Sequence, residues 1–162
     1  TVMGLAASQS ALADQSGNIH FSGSVISNTC TLSGQDITHD LGAFATTDSW
    51  ANQKWGTFKT YADNINVSAC PGSVSNVTIT PNYTVYGAYS GYVTNAGDAK
   101  GVTMAVRKGP TGDFYLNGKE ESYPLVNGAV DIPLYQLYQR AESEKVEAGS
   151  IDLSIAYTFA YN

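Results

Sequence analysis

Charged residues are scarce in this 162-residue chain. Asp, Glu, Lys and Arg make up 14% of it, against roughly 25% in an average soluble domain. Eight basic residues face 14 acidic ones, which gives a net charge of −6. The chain therefore cannot neutralise a run of phosphates, and a nucleic-acid partner is not expected. Because the basic residues are scattered and no apolar stretch reaches the length of a membrane span, direct membrane insertion is not expected either.

Groups that perform catalysis are also few. The chain has two histidines, His20 and His39, and neighbouring residues such as His39 and Asp40 point to opposite sides of a strand. No nucleophile elbow, zinc-protease motif or phosphate-binding glycine loop is present. We expect neither an enzyme nor a cofactor, although a pair of carboxylates brought together only by folding remains the open alternative.

The chain has only two cysteines, Cys30 and Cys70. They do not form a C-x-x-C motif, which argues against a zinc knuckle or a thioredoxin-like site. Two cysteines at long separation favour a single disulfide in an oxidising compartment. The alternative is a pair of buried free thiols.

The first residues, "TVMGLAASQSALA", bear on the same question of compartment. An apolar stretch followed by A-x-A before Asp14 is typical of a secretory cleavage site. We therefore interpret residues 1–13 as the remnant of a signal peptide, cleaved after Ala13. The alternative is an ordinary Ala-rich N-terminus of the mature protein.

The rest of the chain consists of short β-type runs separated by Gly, Pro and Asn. Helical periodicity is weak throughout, and no linker, repeat or low-complexity segment interrupts the pattern. Short strands with turn signals at near-regular spacing are typical of a β-sandwich or barrel. The sequence predicts one all-β domain.

The last segment, "GSIDLSIAYTFAYN", has the clearest periodicity. Apolar residues occupy every second position over eleven residues, with small or polar residues between them. This pattern predicts a long strand with one apolar side. We call that side the terminal apolar face; its residues are Ile151, Leu153, Ile155, Tyr157, Phe159 and Tyr161.

Four tyrosines, Tyr83, Tyr86, Tyr89 and Tyr92, lie within ten residues. Together they could form an aromatic surface for a sugar or a protein partner. Their spacing of three does not match the period of a strand, so the four rings cannot share one sheet face. The alternative is that they simply cover the edge of the sandwich.

Several of these features together resemble the pilin subunits of the bacterial chaperone–usher pathway. "GNIHFSGSVISNTC" is similar to the N-terminal pattern of that family. Cys70 follows Cys30 by forty positions and closes "NINVSAC", with "HDLG" between them. Gly149 before the terminal strand and the late Tyr161 are further marks of the family. The resemblance covers residues 14–162.

The resemblance implies an immunoglobulin-like β-sandwich that lacks its final strand, formed by residues 24–162. The terminal apolar face and Gly149 would then border a groove that accepts a donor strand from another subunit or a chaperone. Residues 14–23 would be this subunit's own donor extension, with Gly17, Ile19 and Phe21 entering the neighbour's groove. If residues 1–13 are retained, the donor register is left open, and Met3, Leu5 and Ala7 could then contribute.

The family's biology implies a structural subunit of a fimbria that supports bacterial adhesion. Its partners would be neighbouring subunits, a periplasmic chaperone and an outer-membrane usher, and it would be exported through the periplasm of a Gram-negative bacterium to the cell surface. One alternative is a single-domain adhesive subunit that itself binds a host glycan or protein through the tyrosine cluster. Another is a complete, monomeric secreted sandwich in which residues 14–23 are simply its own first strand.

Overall fold

The computed structural model describes residues 13–14, 17–18 and 30–162. This part of the chain folds into β-strands and one 3₁₀ turn, Ser49–Asn52. The strands, β1 to β12 in chain order, are Ala13–Asp14, Gly17–Asn18, Thr31–Ser33, Thr38–His39, Ala43–Phe44, Thr57–Ser68, Asn76–Asn82, Tyr92–Thr94, Val102–Arg107, Glu121–Pro124, Val130–Arg140 and Ala156–Tyr161. The predicted all-β class is confirmed.

The larger sheet has five antiparallel strands in the order β3-β6-β11-β9-β8. Its centre is the long pair β6–β11, which runs in register from Val67 opposite Val130 to Lys59 opposite Tyr138 and shifts at Tyr138/Gln139. Ile65 of β6 is fully buried, and its neighbours along the strand are more exposed. This alternation is the period of two that a half-buried strand requires.

The smaller sheet has three antiparallel strands in the order β10-β7-β12. β7 pairs with β12 from Asn82 opposite Ala156 to Val77 opposite Tyr161. Pro81 lies inside β7 opposite Tyr157. A proline is tolerated there because its position makes no ladder hydrogen bond to β12.

The inward residues of the two sheets form one apolar cluster. Ile132 and Leu134 of the larger sheet and Ile79 and Phe159 of the smaller sheet are all fully buried. Tyr115, in the connection between β9 and β10, is also fully buried. The sheets therefore share a hydrophobic core, as the layers of a sandwich must.

A disulfide joins Cys30 and Cys70, which confirms the predicted pairing. Cys30 directly precedes β3, and Cys70 lies just beyond β6. These strands pair antiparallel with Thr31 opposite Ser68, so the ladder itself brings the two cysteines together. Closing a loop of 40 residues stabilises the fold by about 4 kcal/mol in the chain-entropy model.

The terminal strand is shorter than its sequence pattern indicates. Ladder pairing in β12 begins at Ala156, whereas the pattern predicts a strand from Ile151. Residues 151–155 keep the strand-like alternation, because Ile151, Leu153 and Ile155 are buried while the residues between them are exposed. Side-chain periodicity reports burial, and it cannot report whether a neighbouring strand is present to form the ladder.

Candidate functional site

The outer edge of β12 is the main element of the candidate site. β12 ends its sheet and pairs on one side with β7, and no strand in the described part of the chain lies along its other side. Asn162, just beyond β12, and Asn76, the first residue of β7, exchange both backbone hydrogen bonds at 2.9 Å. Such pairs alternate along an antiparallel ladder. The N–H and C=O groups of Phe159 and Tyr161 therefore point away from β7, towards the outer side of β12.

The side chains of the terminal apolar face point into the core. Five of the six are at most 2% exposed, and Tyr161 is half-buried. Burial raises the pKa of Tyr157 well above its usual value near 10. What β12 offers a further strand is therefore chiefly its backbone edge, and the predicted role of the face in binding a donor stays a prediction.

The segment before β12, residues 149–152, packs closely against the loop after β8. The Asp152 N–H donates to Asn95 Oδ1 at 2.6 Å, and the Ala96 N–H donates to the Asp152 carbonyl at 2.8 Å. A Cβ atom on Gly149 would lie 2.3 Å from the Ala99 nitrogen, closer than atoms can approach. The glycine that marks the terminal segment is therefore required by this close backbone contact.

Residues 153–155 precede the paired part of β12. Among the described residues, none of them makes a backbone hydrogen bond of the turn or loop type. These residues are extended in the same alternating pattern as β12. Within the described residues, Phe159 and Tyr161 therefore direct backbone groups to the side of β12 away from β7. The edge strand of a sheet is a template for strand addition.

The described parts of the predicted donor extension pair with their own chain. β1 is antiparallel to β5, with Ala13 opposite Phe44, and β2 is antiparallel to β4, with Gly17 opposite His39. The register shifts by one residue between the two pairs, because three residues separate β4 from β5 and two separate β1 from β2. The backbone therefore accommodates an extra residue there, as at a β-bulge.

Only one of the three predicted donor residues lies in this pairing, so the donor role stays a prediction. Gly17 lies in β2, whereas Ile19 and Phe21 lie outside the described residues. The predicted boundaries at residues 13 and 23 likewise stay predictions. The extension is thus able to form antiparallel strand pairs, which a donor must do.

A polar network anchors β4 to the larger sheet, and the sequence did not predict it. His39 Nε2 lies 2.6 Å from Asp63 Oδ2, and the imidazole stacks on Tyr61 with ring centroids 3.7 Å apart. Gln136, fully buried on β11, donates to the same carboxylate oxygen at 2.7 Å. His39 therefore interacts with Asp63, 24 residues away, rather than with its neighbour Asp40.

The tyrosine cluster is divided between the interior and the surface. Tyr83 is 8% exposed; its hydroxyl donates to the Tyr115 carbonyl at 2.9 Å and accepts from the Asn117 N–H at 3.0 Å. Burial raises its pKa. Tyr83 is therefore a core residue and does not belong to the predicted ligand surface. Tyr86, Tyr89 and Tyr92 are half-exposed.

Within the described residues, no group of three His, Cys, Asp or Glu side chains is placed to hold a metal ion. In the same part of the chain, no helix is long and apolar enough to cross a membrane.

The fold is similar to that of solved pilus subunits. The P pilus rod subunit PapA matches over 82% of this chain and 99% of its own, at a TM-score of 0.68 and 16% identity. A chaperone–usher pilus, from a structure concerned with uncoiling of its rod, matches over 90% of this chain and 95% of its own. Its TM-score is 0.70 and its identity is 17%. The CupB6 tip adhesin of Pseudomonas aeruginosa matches over 67% of this chain and 35% of its own, at a TM-score of 0.53 and 20% identity.

No protein-family model and no curated protein matches the chain. At identities of 20% or less, the structural likeness establishes the fold. The fold is therefore the one found in the solved subunits of chaperone–usher pili. The resemblance read from the sequence is confirmed at this level.

Proposed function

We propose that this chain is a structural subunit of a chaperone–usher fimbria that polymerises by strand exchange. The open edge of β12 accepts the N-terminal extension of a neighbouring subunit, and the extension of this chain enters the edge of the next. The same edge is first covered by a periplasmic chaperone, and an outer-membrane usher assembles the fibre. The subunit acts through non-covalent assembly on the cell surface, with no catalytic residues and no cofactor.

One observation carries this proposal. Among the described strands, β12 ends its sheet, and residues that direct backbone groups outward, such as Phe159 and Tyr161, are the ones whose side chains pack in the core. Adding a strand there extends the sheet by main-chain hydrogen bonds, while alternate side chains of the added strand face the interior. Burying one large apolar side chain in this way contributes about 1.5–3 kcal/mol. The likeness to pilus rod subunits supports the same assignment.

The proposal is tested with the full chain and a matched pair of double variants. Ile19→Asp with Phe21→Asp places charges on the side of the extension expected to enter the groove. Asn18→Asp with His20→Asp places the same number of acidic residues on its other side. Light scattering after size-exclusion chromatography and electron microscopy report assembly. We expect the wild type and the second variant to form polymers and the first variant to remain monomeric.

A synthetic peptide spanning Asp14–Ser22 completes the test. If the open edge is the acceptor, this peptide raises the melting temperature of the monomeric variant, and the same peptide with Asp at 19 and 21 does not. A wild-type chain that stays monomeric and does not respond to the peptide would show that the sandwich is complete in itself. The polymerisation proposal would then be wrong.

A further inference from the structure

Five aromatic rings form a continuous half-exposed surface beside the larger sheet. We call it the aromatic belt, and it consists of Trp55, Tyr86, Tyr89, Tyr92 and Phe114. Trp55 lies at its centre, with ring centroids 4.4 Å from Tyr92 and 5.3 Å from Tyr89. Tyr86 stacks beyond Tyr89 at 6.0 Å, and Phe114 lies beyond Tyr92 at 5.4 Å. Segments far apart in the sequence therefore build one surface.

Two carboxylates flank one end of the belt. The Tyr86 hydroxyl donates to Glu144 at 2.9 Å, and the Tyr89 hydroxyl donates to Glu142 at 2.5 Å. Burial and the neighbouring Glu144 raise the pKa of Tyr86 to about 12, so this tyrosine remains a donor at neutral pH. Neither glutamate forms a salt bridge with a cationic side chain of the described residues.

Two arginines near the belt, Arg107 and Arg140, do not pair with these carboxylates. Arg107 lies over the Phe114 ring, 4.7 Å from its centroid, at the opposite end. Arg140 donates from Nε to the backbone carbonyl of Glu144 at 3.4 Å rather than to its carboxylate. The belt thus already binds one guanidinium through a ring face, and within the described residues the two carboxylates beside its other rings pair with no cationic side chain.

The position of Trp55 is imposed by the backbone. Trp55 has φ of +57°, in the left-handed region that large residues rarely adopt. Its carbonyl accepts a hydrogen bond from Gln139 Nε2 at 3.0 Å, which holds this conformation against β11. A non-glycine residue in this region costs of order 1 kcal/mol or more. The fold sustains that cost while holding the indole half-exposed at the centre of the belt.

We propose that the aromatic belt, together with Glu142 and Glu144, is a binding site for a Lys or Arg side chain in a basic segment of a partner protein. A cation against the face of Trp or Tyr is attracted by the ring quadrupole, and a carboxylate beside the ring adds a charge-assisted hydrogen bond. The net charge of −6 favours the approach of a basic partner. Charge complementarity thus favours a cationic occupant over a neutral glycan.

The probe is a peptide of alternating Gly and Arg, titrated against the full chain. Its control is the same peptide with citrulline, which keeps the shape of arginine without its charge. Binding is followed by isothermal titration calorimetry and by Trp fluorescence. Because the other tryptophan, Trp50, is 8% exposed, the fluorescence response should come from Trp55. We expect the citrulline peptide to bind at least about tenfold more weakly.

Variants locate the site. Glu142→Gln with Glu144→Gln removes both charges but leaves an acceptor for each tyrosine hydroxyl. Glu120→Gln with Glu147→Gln removes two charges from exposed positions outside the belt. Trp55→Asn removes the indole with a residue that tolerates positive φ. We expect the first and third variants to weaken binding of the arginine peptide about tenfold and the second to leave it unchanged, with melting temperatures checked for all three.

Three results would overturn the proposal. Equal binding of the arginine and citrulline peptides would show that no cation is recognised. Equal weakening by both pairs of Glu→Gln changes would show nonspecific attraction to the negative chain. Absence of arginine-peptide binding at millimolar concentration would show that the belt does not bind a cationic side chain. If a neutral oligosaccharide then bound the wild type but not Trp55→Asn, the belt would be a glycan site instead.

Discussion

Replacing Tyr161 by Pro tests directly which way the backbone groups at the end of β12 point. The ladder places the Tyr161 N–H on the outer edge and the Ala160 N–H towards Thr78 of β7. Tyr161→Pro therefore removes a donor that the subunit does not use within the described ladder. Ala160→Pro removes a ladder hydrogen bond and distorts the β7–β12 pair.

The magnitudes follow from this geometry. Losing the half-buried Tyr161 ring costs about 1–2 kcal/mol of unfolding free energy, and Tyr161→Ala measures that loss alone. Tyr161→Pro should cost less than about 1 kcal/mol beyond Tyr161→Ala. Ala160→Pro should cost about 3 kcal/mol or more. Urea denaturation of the monomeric Ile19→Asp, Phe21→Asp background measures all three.

Binding of the Asp14–Ser22 peptide supplies the second measurement. The proline at 161 removes one hydrogen bond to an added strand and places its ring against that strand. We expect the peptide to bind Tyr161→Pro about tenfold more weakly than Tyr161→Ala, which corresponds to about 1.4 kcal/mol. If Tyr161→Pro destabilises the subunit as much as Ala160→Pro, the deduced direction of the N–H is wrong. If the peptide binds both variants equally, the edge of β12 is not its site.

Other consequences can be measured independently. Replacing Cys30 and Cys70 by Ser should lower the unfolding free energy in urea by about 4 kcal/mol. Gly149→Ala should cost about 1–3 kcal/mol through its backbone clash, whereas Gly72→Ala, with no atom near its Cβ, should be close to neutral. Tyr86 has a pKa of about 12 in the fold against 10 in the unfolded chain, so the unfolded chain loses this proton first. Stability should therefore fall as the pH rises from 10 towards 12, and Tyr86→Phe should make that fall shallower.

The two-residue periodicity of the sequence predicted the all-β class and the buried side of the terminal segment. The alternation in residues 151–159 requires only that one side of an extended chain faces apolar neighbours, and the buried and exposed residues follow it. The all-β class follows from the same alternation and from the turn residues between strands. The pairing of Cys30 with Cys70 was predictable because the chain contains no other cysteine.

The contacts that build the sites come from strand pairing over long sequence separations. The β7–β12 register decides that Tyr161 directs its N–H outward, and the β4–β6 packing brings His39 to Asp63. Trp55 and Tyr92, 37 positions apart in the sequence, meet at 4.4 Å in the aromatic belt.

By itself, the sequence determined which residues turn inward, because that choice depends on each residue's own polarity and on the two-residue period of a strand. Only the tertiary structure decided which strand ends a sheet and which side chains meet across it. Those relations depend on register and sheet order, and a shift of one residue would send the same side chains to the opposite face.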